Sequence, residues 1–109
     1  MKRMISCLIF IAILSTIVGC GGRPSKGEVI VYVAAPLSGW QADGGQTVVG
    51  GVNLMAQELN NSGGLLGYRV RVVAVDDEAD SDVAVEVASR IADAVRNGEK
   101  VIGVVGHYN

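Results

Sequence analysis

The chain has 109 residues, half of them hydrophobic and 18% charged, which is enough for one small domain. Beyond residues 1–20 it holds seven basic against eleven acidic residues, so it lacks the clustered lysines and arginines that nucleic-acid phosphates require. Cys7 and Cys20 both lie in the first twenty residues, and His107 is the single histidine. Cysteine and histidine therefore never occur at metal-ligand spacing, and we expect neither a metal site nor a cofactor.

Residues 1–20 have the three parts of an export signal: a basic start, an apolar run and a small-residue end. The run is about 14 residues long, which is short for a bilayer span. The ending I-V-G-C, Ile17 to Cys20, resembles the lipobox of bacterial lipoprotein signal peptides. That resemblance implies removal of residues 1–19 and a lipid on Cys20. The Gly/Pro/Ser composition that follows predicts a flexible polar tether, so that 20–27 form the lipidated cysteine and its tether. The alternative is an uncleaved membrane anchor with an incidental cysteine.

The first predicted strand, Val29 to Ala35, is the element around which the rest is organised. Its seven residues are apolar or aromatic without interruption, and Pro36 ends the run. A strand with no polar alternation is typical of one buried on both faces, as in the centre of a parallel sheet. The polar turn Ser38-Gly39-Trp40-Gln41 then lies outside its carboxyl end, where open α/β sheets bind ligands.

A helical period follows the turn. Apolar residues recur at intervals of three and four between Val48 and Leu59, Asp43 is the predicted N-cap, and 60–64 end the helix. Gly50 and Gly51 lie inside this helix, where each costs about 1 kcal/mol relative to alanine. We expect them there because the helix packs closely on the sheet.

The second strand, Tyr68 to Val75, alternates arginine with valine and then becomes apolar, so it is expected to begin exposed and end buried. Five carboxylates follow within 76–82. The residue spacing of a calcium loop is absent. We therefore expect these carboxylates to be solvated in a loop and to place negative charge at the N-terminus of the next helix.

The second helix is predicted over Ser81 to Asn97, with a favourable Glu86–Arg90 pair. Its expected apolar face consists of Ala84, Val87, Ala88, Ile91 and Val95. A short apolar strand, 101–106, closes the pattern. Alternating strands and helices predict an α/β fold, a doubly wound three-layer parallel sheet of order 2-1-3. The ligand cleft is expected between 36–41 and 107–109, where the strand order reverses.

An enzyme is the alternative class to a binding protein. Asp76 and Asp77 stand where a nucleotide-binding Rossmann unit holds its ribose, but the first turn has no G-x-G-x-x-G and no G-K-[ST] follows. Ser38 as a nucleophile lacks a G-x-S-x-G elbow and has only His107 as a possible base. The residues favour a non-enzymatic binder, with a Rossmann-like enzyme fragment kept as the alternative.

Several motifs in order carry a family resemblance. They are P-L-S-G at 36–39, Gly44-Gly45, Gly51 with Met55-Ala56, E-L-N-N-S-G-G-L-L-G at 58–67, V-D-D-E-A-D at 75–80 and V-I-G-V-V-G at 101–106. Over 28–109 the chain resembles the N-terminal part of type I periplasmic binding proteins, specifically the branched-chain amino acid (leucine/isoleucine/valine-type) substrate-binding proteins of ABC transporters.

The resemblance implies two α/β lobes that close over a small polar solute, an amino acid or amide, and deliver it to a membrane permease. It also implies that residues 28–109 are an incomplete first lobe, and a lipid-anchored, exported location; a ligand-sensing receptor of the same fold is a further alternative. The implied ligand-binding residues are Ser38, Gly39, Trp40, His107, Tyr108 and Asn109. Family members often carry an aromatic ring near the position of Gly44. Here the ring is Trp40, which either covers the ligand or packs near the hinge.

Overall fold

The computed structural model describes residues 22–108, so the predicted signal, Cys20 and Asn109 lie outside the described residues. Three strands and two helices alternate along the chain. The elements are β1 (Glu28–Ala35), a 3-10 turn (Gly39–Gln41), α1 (Ala42–Asn61), β2 (Arg69–Asp76), α2 (Ser81–Arg96) and β3 (Val101–Val105). The predicted α/β class and element order are confirmed, with boundaries within one to three residues.

The strand β1 lies at the centre of a parallel sheet of order β2-β1-β3, as predicted. Its whole length pairs with β2, from Glu28 opposite Arg69 to Ala35 opposite Asp76. On the other side it pairs with β3, and the register shifts between Ile30 and Val31. The carboxyl ends of all three strands therefore meet at one edge of the sheet, which we call the carboxyl edge; the opposite one is the amino edge.

The two helices cover opposite faces of the sheet. Alternate β1 residues point to opposite sides, and each side has its own apolar cluster. The α1 side joins Val29, Ala56 and Val70, and the α2 side joins Ala34, Val87 and Ile91. Two crossovers with helices on opposite faces produce the expected switch point between β1 and β3.

The start of α1 differs from the prediction. Gln41 is the N-cap and makes no side-chain cap hydrogen bond, whereas Asp43 lies within the first turn. The helix begins earlier because the 3-10 turn runs directly into it. Asp43 still places its negative charge at the positive end of the helix dipole.

The prediction that Gly50 and Gly51 allow close packing of α1 on the sheet is wrong. Gly50 and Gly51 are exposed, and a Cβ on either would meet no atom within 4 Å. The close contact is at buried Gly45, where a Cβ would overlap the Pro36 carbonyl group. Of these three glycines, the one that packing against the Pro36 backbone requires is at the start of α1.

The helix α2 begins at Ser81 because Asp80 caps it, accepting hydrogen bonds from the N–H groups of Asp82 (2.8 Å) and Val83 (3.1 Å). Two expectations for this helix are wrong. Ala88 and Val95 are exposed, since only part of the predicted apolar face reaches the sheet. Among the described residues the ion pair of α2 joins Arg96 to Asp93, so the Glu86–Arg90 pair does not form.

The strand β2 is less buried than predicted. Val70 is buried near its start, but Val73 and Val75 are only partly buried and Ala74 is exposed, because β2 is an edge strand. Asn60 pairs with this edge: the Val70 N–H donates to its Oδ1 (2.7 Å), and its Nδ2 donates to the Val70 carbonyl (2.8 Å). No helix within residues 22–108 combines the length and hydropathy needed to cross a membrane.

Candidate functional site at the carboxyl edge

The polar turn after β1 is fixed by the end of β2. The Leu37 N–H donates to Asp76 Oδ1 at 2.8 Å, and the Glu78 N–H donates to the same oxygen at 2.9 Å. One carboxylate therefore joins the loop that follows β1 to the loop that follows β2. This arrangement holds the backbone next to Ser38 in a defined position.

The pKa of Asp76 is lowered by this arrangement. Desolvation by burial acts in the opposite direction and raises the pKa, but donors from Leu37, Ser38 and Glu78 outweigh it. Hydrogen-bond donors favour the charged form of a carboxyl group, so Asp76 is held as a carboxylate at neutral pH. The charged carboxylate accepts the hydrogen bonds that hold the turn in place.

The carboxylate of Asp77 is completely buried, with no exposed surface, which contradicts the expectation that the acidic stretch is solvated throughout. Its Oδ2 lies 2.8 Å from His107 Nδ1, and its Oδ1 accepts a hydrogen bond from the Ala79 N–H at 3.2 Å. A buried carboxylate is stable only when its oxygens have partners, and both of these have one. The pair joins the loop after β2 to the segment after β3.

The backbone of the acidic loop explains why Asp77 turns inward. Its own N–H donates to the Ala35 carbonyl at 3.2 Å, which continues the β1–β2 pairing by one residue. Glu78 and Ala79 then adopt positive φ angles of 56° and 54°, and Asp80 starts α2. Only the later carboxylates of the stretch, at Glu78, Asp80 and Asp82, are exposed as expected.

The segment after β3 reaches the start of α1. The Tyr108 ring lies over Gly44, and a Cβ at that position would be 2.9 Å from its Cε1 and 3.1 Å from its hydroxyl oxygen. The missing side chain at position 44 therefore makes room for the Tyr108 ring. Tyr108 remains 46% exposed, so part of its ring is open to solvent.

The structure brings the predicted site residues to one edge without joining all of them. Ser38, Gly39 and Trp40 are exposed, and Trp40 is 88% exposed, so its ring packs against nothing in the described part of the chain. Gly39 has a φ of 71°, a left-handed conformation that favours glycine. His107 contacts Asp77 and Tyr108 contacts the start of α1.

Sequence reasoning missed two features of this edge. Asp77 was assigned to a solvated stretch, although its place one residue beyond β2 is a signal that it lies at the carboxyl edge. Gly44 and Tyr108 are 64 positions apart, so no local sequence pattern predicts their contact. Within residues 22–108 no three histidine, cysteine, aspartate or glutamate side chains are grouped as metal ligands.

A groove of about 610 Å³ lies elsewhere, along α1 and the outer edge of β2. Arg23, Pro24, Asn53 and Arg69 are among its lining residues. It includes none of the predicted site residues. The carboxyl edge remains the better candidate because ligands of open α/β sheets bind at a switch point.

The fold and this edge define an open α/β protein with a switch point between β1 and β3. The model of the periplasmic binding protein family matches residues 30–109, so the chain belongs to that family. A solved ABC transporter substrate-binding protein from Desulfitobacterium hafniense has a similar structure, with a TM-score of 0.62 and 29% identity over 75% of this chain and 22% of that one. The predicted family and strand order are thereby confirmed.

Curated relatives support the same assignment. The Leu/Ile/Val-binding protein homolog 2 of Brucella abortus (strain 2308) is 34% identical over 109 residues, which is 100% of this chain and 27% of that protein. The amino acid binding protein of Pseudomonas aeruginosa is 35% identical over 81 residues, 74% of this chain and 21% of that protein. The chain therefore spans about a quarter of the length of these relatives.

Proposed function

We propose that this chain is the amino-terminal part of an extracytoplasmic solute-binding lipoprotein that serves an ABC importer. The longer protein binds a small amino acid or amide-type solute between two lobes and passes it to a membrane permease. The observation that carries the proposal is the carboxyl edge, where Asp76 and Asp77 fix the segments bearing Ser38 and Tyr108. The names of the relatives supply the solute class.

The role of Ser38 follows from the chemistry of a closed cleft. A small polar solute enclosed between two lobes loses its water, so each of its polar atoms needs a donor or an acceptor from the protein. The Ser38 hydroxyl and the backbone at Gly39 are exposed on a turn that Asp76 holds in place. We assign to them the hydrogen bonds that the first lobe makes to the solute.

The site contributes binding groups without the parts of an enzyme. Among the described residues Ser38 and His107 make no hydrogen bond to each other, although Asp77 holds the His107 Nδ1 as a carboxylate does in a catalytic triad. A nucleophile needs a base within hydrogen-bond reach. We therefore propose that the protein has no catalytic activity and needs no cofactor.

Calorimetry on the longer protein tests the solute class. The titrants are leucine, isoleucine, valine, alanine, glutamate and acetamide, with a sugar as the negative control. We expect saturable one-to-one binding of at least one amino acid or amide. Binding of the sugar alone, or turnover of a nucleotide or ester, would show that the proposed class is wrong.

The location is tested separately through Cys20. Mass spectrometry of the exported protein is expected to find a lipidated Cys20 as the first residue, with residues 1–19 removed. Cys20→Ala should release the protein from the membrane or leave it unprocessed. A mature N-terminus elsewhere, or a free thiol at Cys20, would end the lipoprotein proposal and leave the binding proposal intact.

A further inference from the structure

The basic residues of the chain are concentrated at the amino edge of the sheet, opposite the candidate site. Of the seven lysines and arginines beyond the leader, six lie near this edge; one of them, Arg96 at the end of α2, is paired with Asp93. The other five are Arg23, Lys26, Arg69, Arg71 and Lys100, which we call the basic edge; Glu28 and Glu99 lie beside them. No lysine or arginine lies between Lys26 and Arg69, or between Arg71 and Arg90, so the described loops at the carboxyl edge carry acidic charge only.

Two lysines of the basic edge converge on one aromatic ring. The Lys26 Nζ lies 5.9 Å and the Lys100 Nζ 5.7 Å from the centroid of the Tyr68 ring. A ring attracts a cation at this distance, so Tyr68 favours both ammonium groups at the amino edge.

The arginines of the basic edge share one carboxylate. Arg71 Nε lies 2.6 Å from one oxygen of Glu28, and Arg69 Nε lies 4.0 Å from the other. Two positive charges for one negative charge leave this pair of strands with net positive charge. The Arg69 side chain is 70% exposed, so its charge faces solvent.

Apolar side chains project beside these charges. The loop between α1 and β2 carries Leu65 and Leu66 at its tip, and Leu66 is 81% exposed. The same loop binds the tether, because the N–H groups of Ser25 and Lys26 both donate to the Gly67 carbonyl, at 3.1 and 3.0 Å. Exposed leucines flanked by lysines and arginines are the composition of surfaces that bind anionic membranes.

We propose that the basic edge, together with Leu65 and Leu66, docks on an anionic phospholipid bilayer. The tether supports this partner. Ser25 lies five residues after Cys20, so a lipid on Cys20 would hold this edge within about 18 Å of the bilayer. This is the upper limit of the separation; at physiological salt the lysines attract lipid phosphates once they come within about one Debye length, roughly 8 Å.

The proposal uses the lipid anchor as support, but its test does not need the anchor. Trp40 is the single tryptophan of the chain and lies at the carboxyl edge. A Trp40→Phe/Leu66→Trp variant moves the fluorophore to the basic edge. Both full chains are mixed with vesicles of brominated phosphatidylglycerol, or of brominated phosphatidylcholine as the neutral control. Variants are compared within one lipid, so binding caused by the shared leader, which carries Lys2 and Arg3, cancels between them.

We expect tryptophan at position 66 to be quenched by phosphatidylglycerol and to recover in 0.5 M salt, while Trp40 stays unquenched. Lys26→Gln and Lys100→Gln should each weaken the interaction about five-fold, and the double variant about thirty-fold. Arg90→Gln, the same charge change on α2, should alter it less than two-fold.

Three results would overturn the proposal: equal quenching by both lipids, no quenching at position 66, or quenching of Trp40 as strong as at position 66. Release by 10 mM inorganic phosphate at constant ionic strength would also overturn it, because the lysines would then form a site for a free anion. Failure of Cys20 lipidation would leave the vesicle result unaffected, so the two proposals are tested independently.

Discussion

Removing the buried carboxylate of Asp77 should destabilise the chain far more than removing an exposed carboxylate. Asp77→Ala loses the 2.8 Å contact with His107 and the 3.2 Å hydrogen bond from the Ala79 N–H. A hydrogen bond to a charged group contributes about 1.5–3 kcal/mol, and a long one contributes less. The His107 side chain is 27% exposed, so water replaces part of the lost contact. We therefore expect a loss of about 3 kcal/mol.

Urea denaturation followed by circular dichroism measures this loss. At a slope of about 1–3 kcal/mol per molar urea, the midpoint should fall by about 1–3 M. Glu86→Ala, which removes an exposed carboxylate from α2, is the control and should change stability by less than about 0.5 kcal/mol. His107→Ala completes a double-mutant cycle, with an expected coupling of about 1–3 kcal/mol. Equal effects of Asp77→Ala and Glu86→Ala, or zero coupling to His107, would refute this account of the carboxyl edge.

Further substitutions test the packing and charge described above. Gly45→Ala should destabilise the fold by about 1–3 kcal/mol, because the added methyl group overlaps the Pro36 carbonyl group. Gly50→Ala, where the added methyl group meets open space, should stabilise α1 by about 1 kcal/mol. Thermal denaturation measures both effects. Asn60→Ala should lower the free energy of unfolding by about 1–3 kcal/mol, because the Val70 N–H and carbonyl groups lose their partner. Asn61→Ala should leave it almost unchanged. Equal effects of the two variants in urea titration would contradict this. Because its pKa is lowered on folding, Asp76 stabilises the fold above about pH 4, and this contribution is lost as pH falls through the folded-state pKa. Asp76→Asn should therefore make the free energy of unfolding less dependent on pH in this acid range. An unchanged pH dependence would contradict the assignment.

The sequence was sufficient for the fold because its decisive signals are local. The uninterrupted run from Val29 to Ala35 predicts a central strand, and the two helical periods that follow predict the crossovers on either side of it. With connections that are right-handed, the order 2-1-3 follows. Family motifs spread over 28–109 then specified the class of protein.

The site was predicted less completely because its contacts join distant residues. Asp77 is buried by His107, thirty positions away, and Gly44 is empty because Tyr108 occupies the space above it. A run of five carboxylates in 76–82 predicts solvation on composition alone, and nothing local distinguishes the one that turns inward. Gly45 likewise could not be separated from Gly50 without knowing where α1 approaches Pro36.

The central claim is that the turn after β1 binds solute, and the affinity of a Ser38→Ala variant of the longer protein tests it most directly. Once calorimetry has identified a bound amino acid or amide, Ser38→Ala should weaken it by about 1–2 kcal/mol, up to about thirty-fold. Ser62→Ala, at the far end of α1, should leave affinity unchanged. An unchanged affinity in Ser38→Ala, with the fold intact by circular dichroism, would contradict the assignment of the binding site to the carboxyl edge.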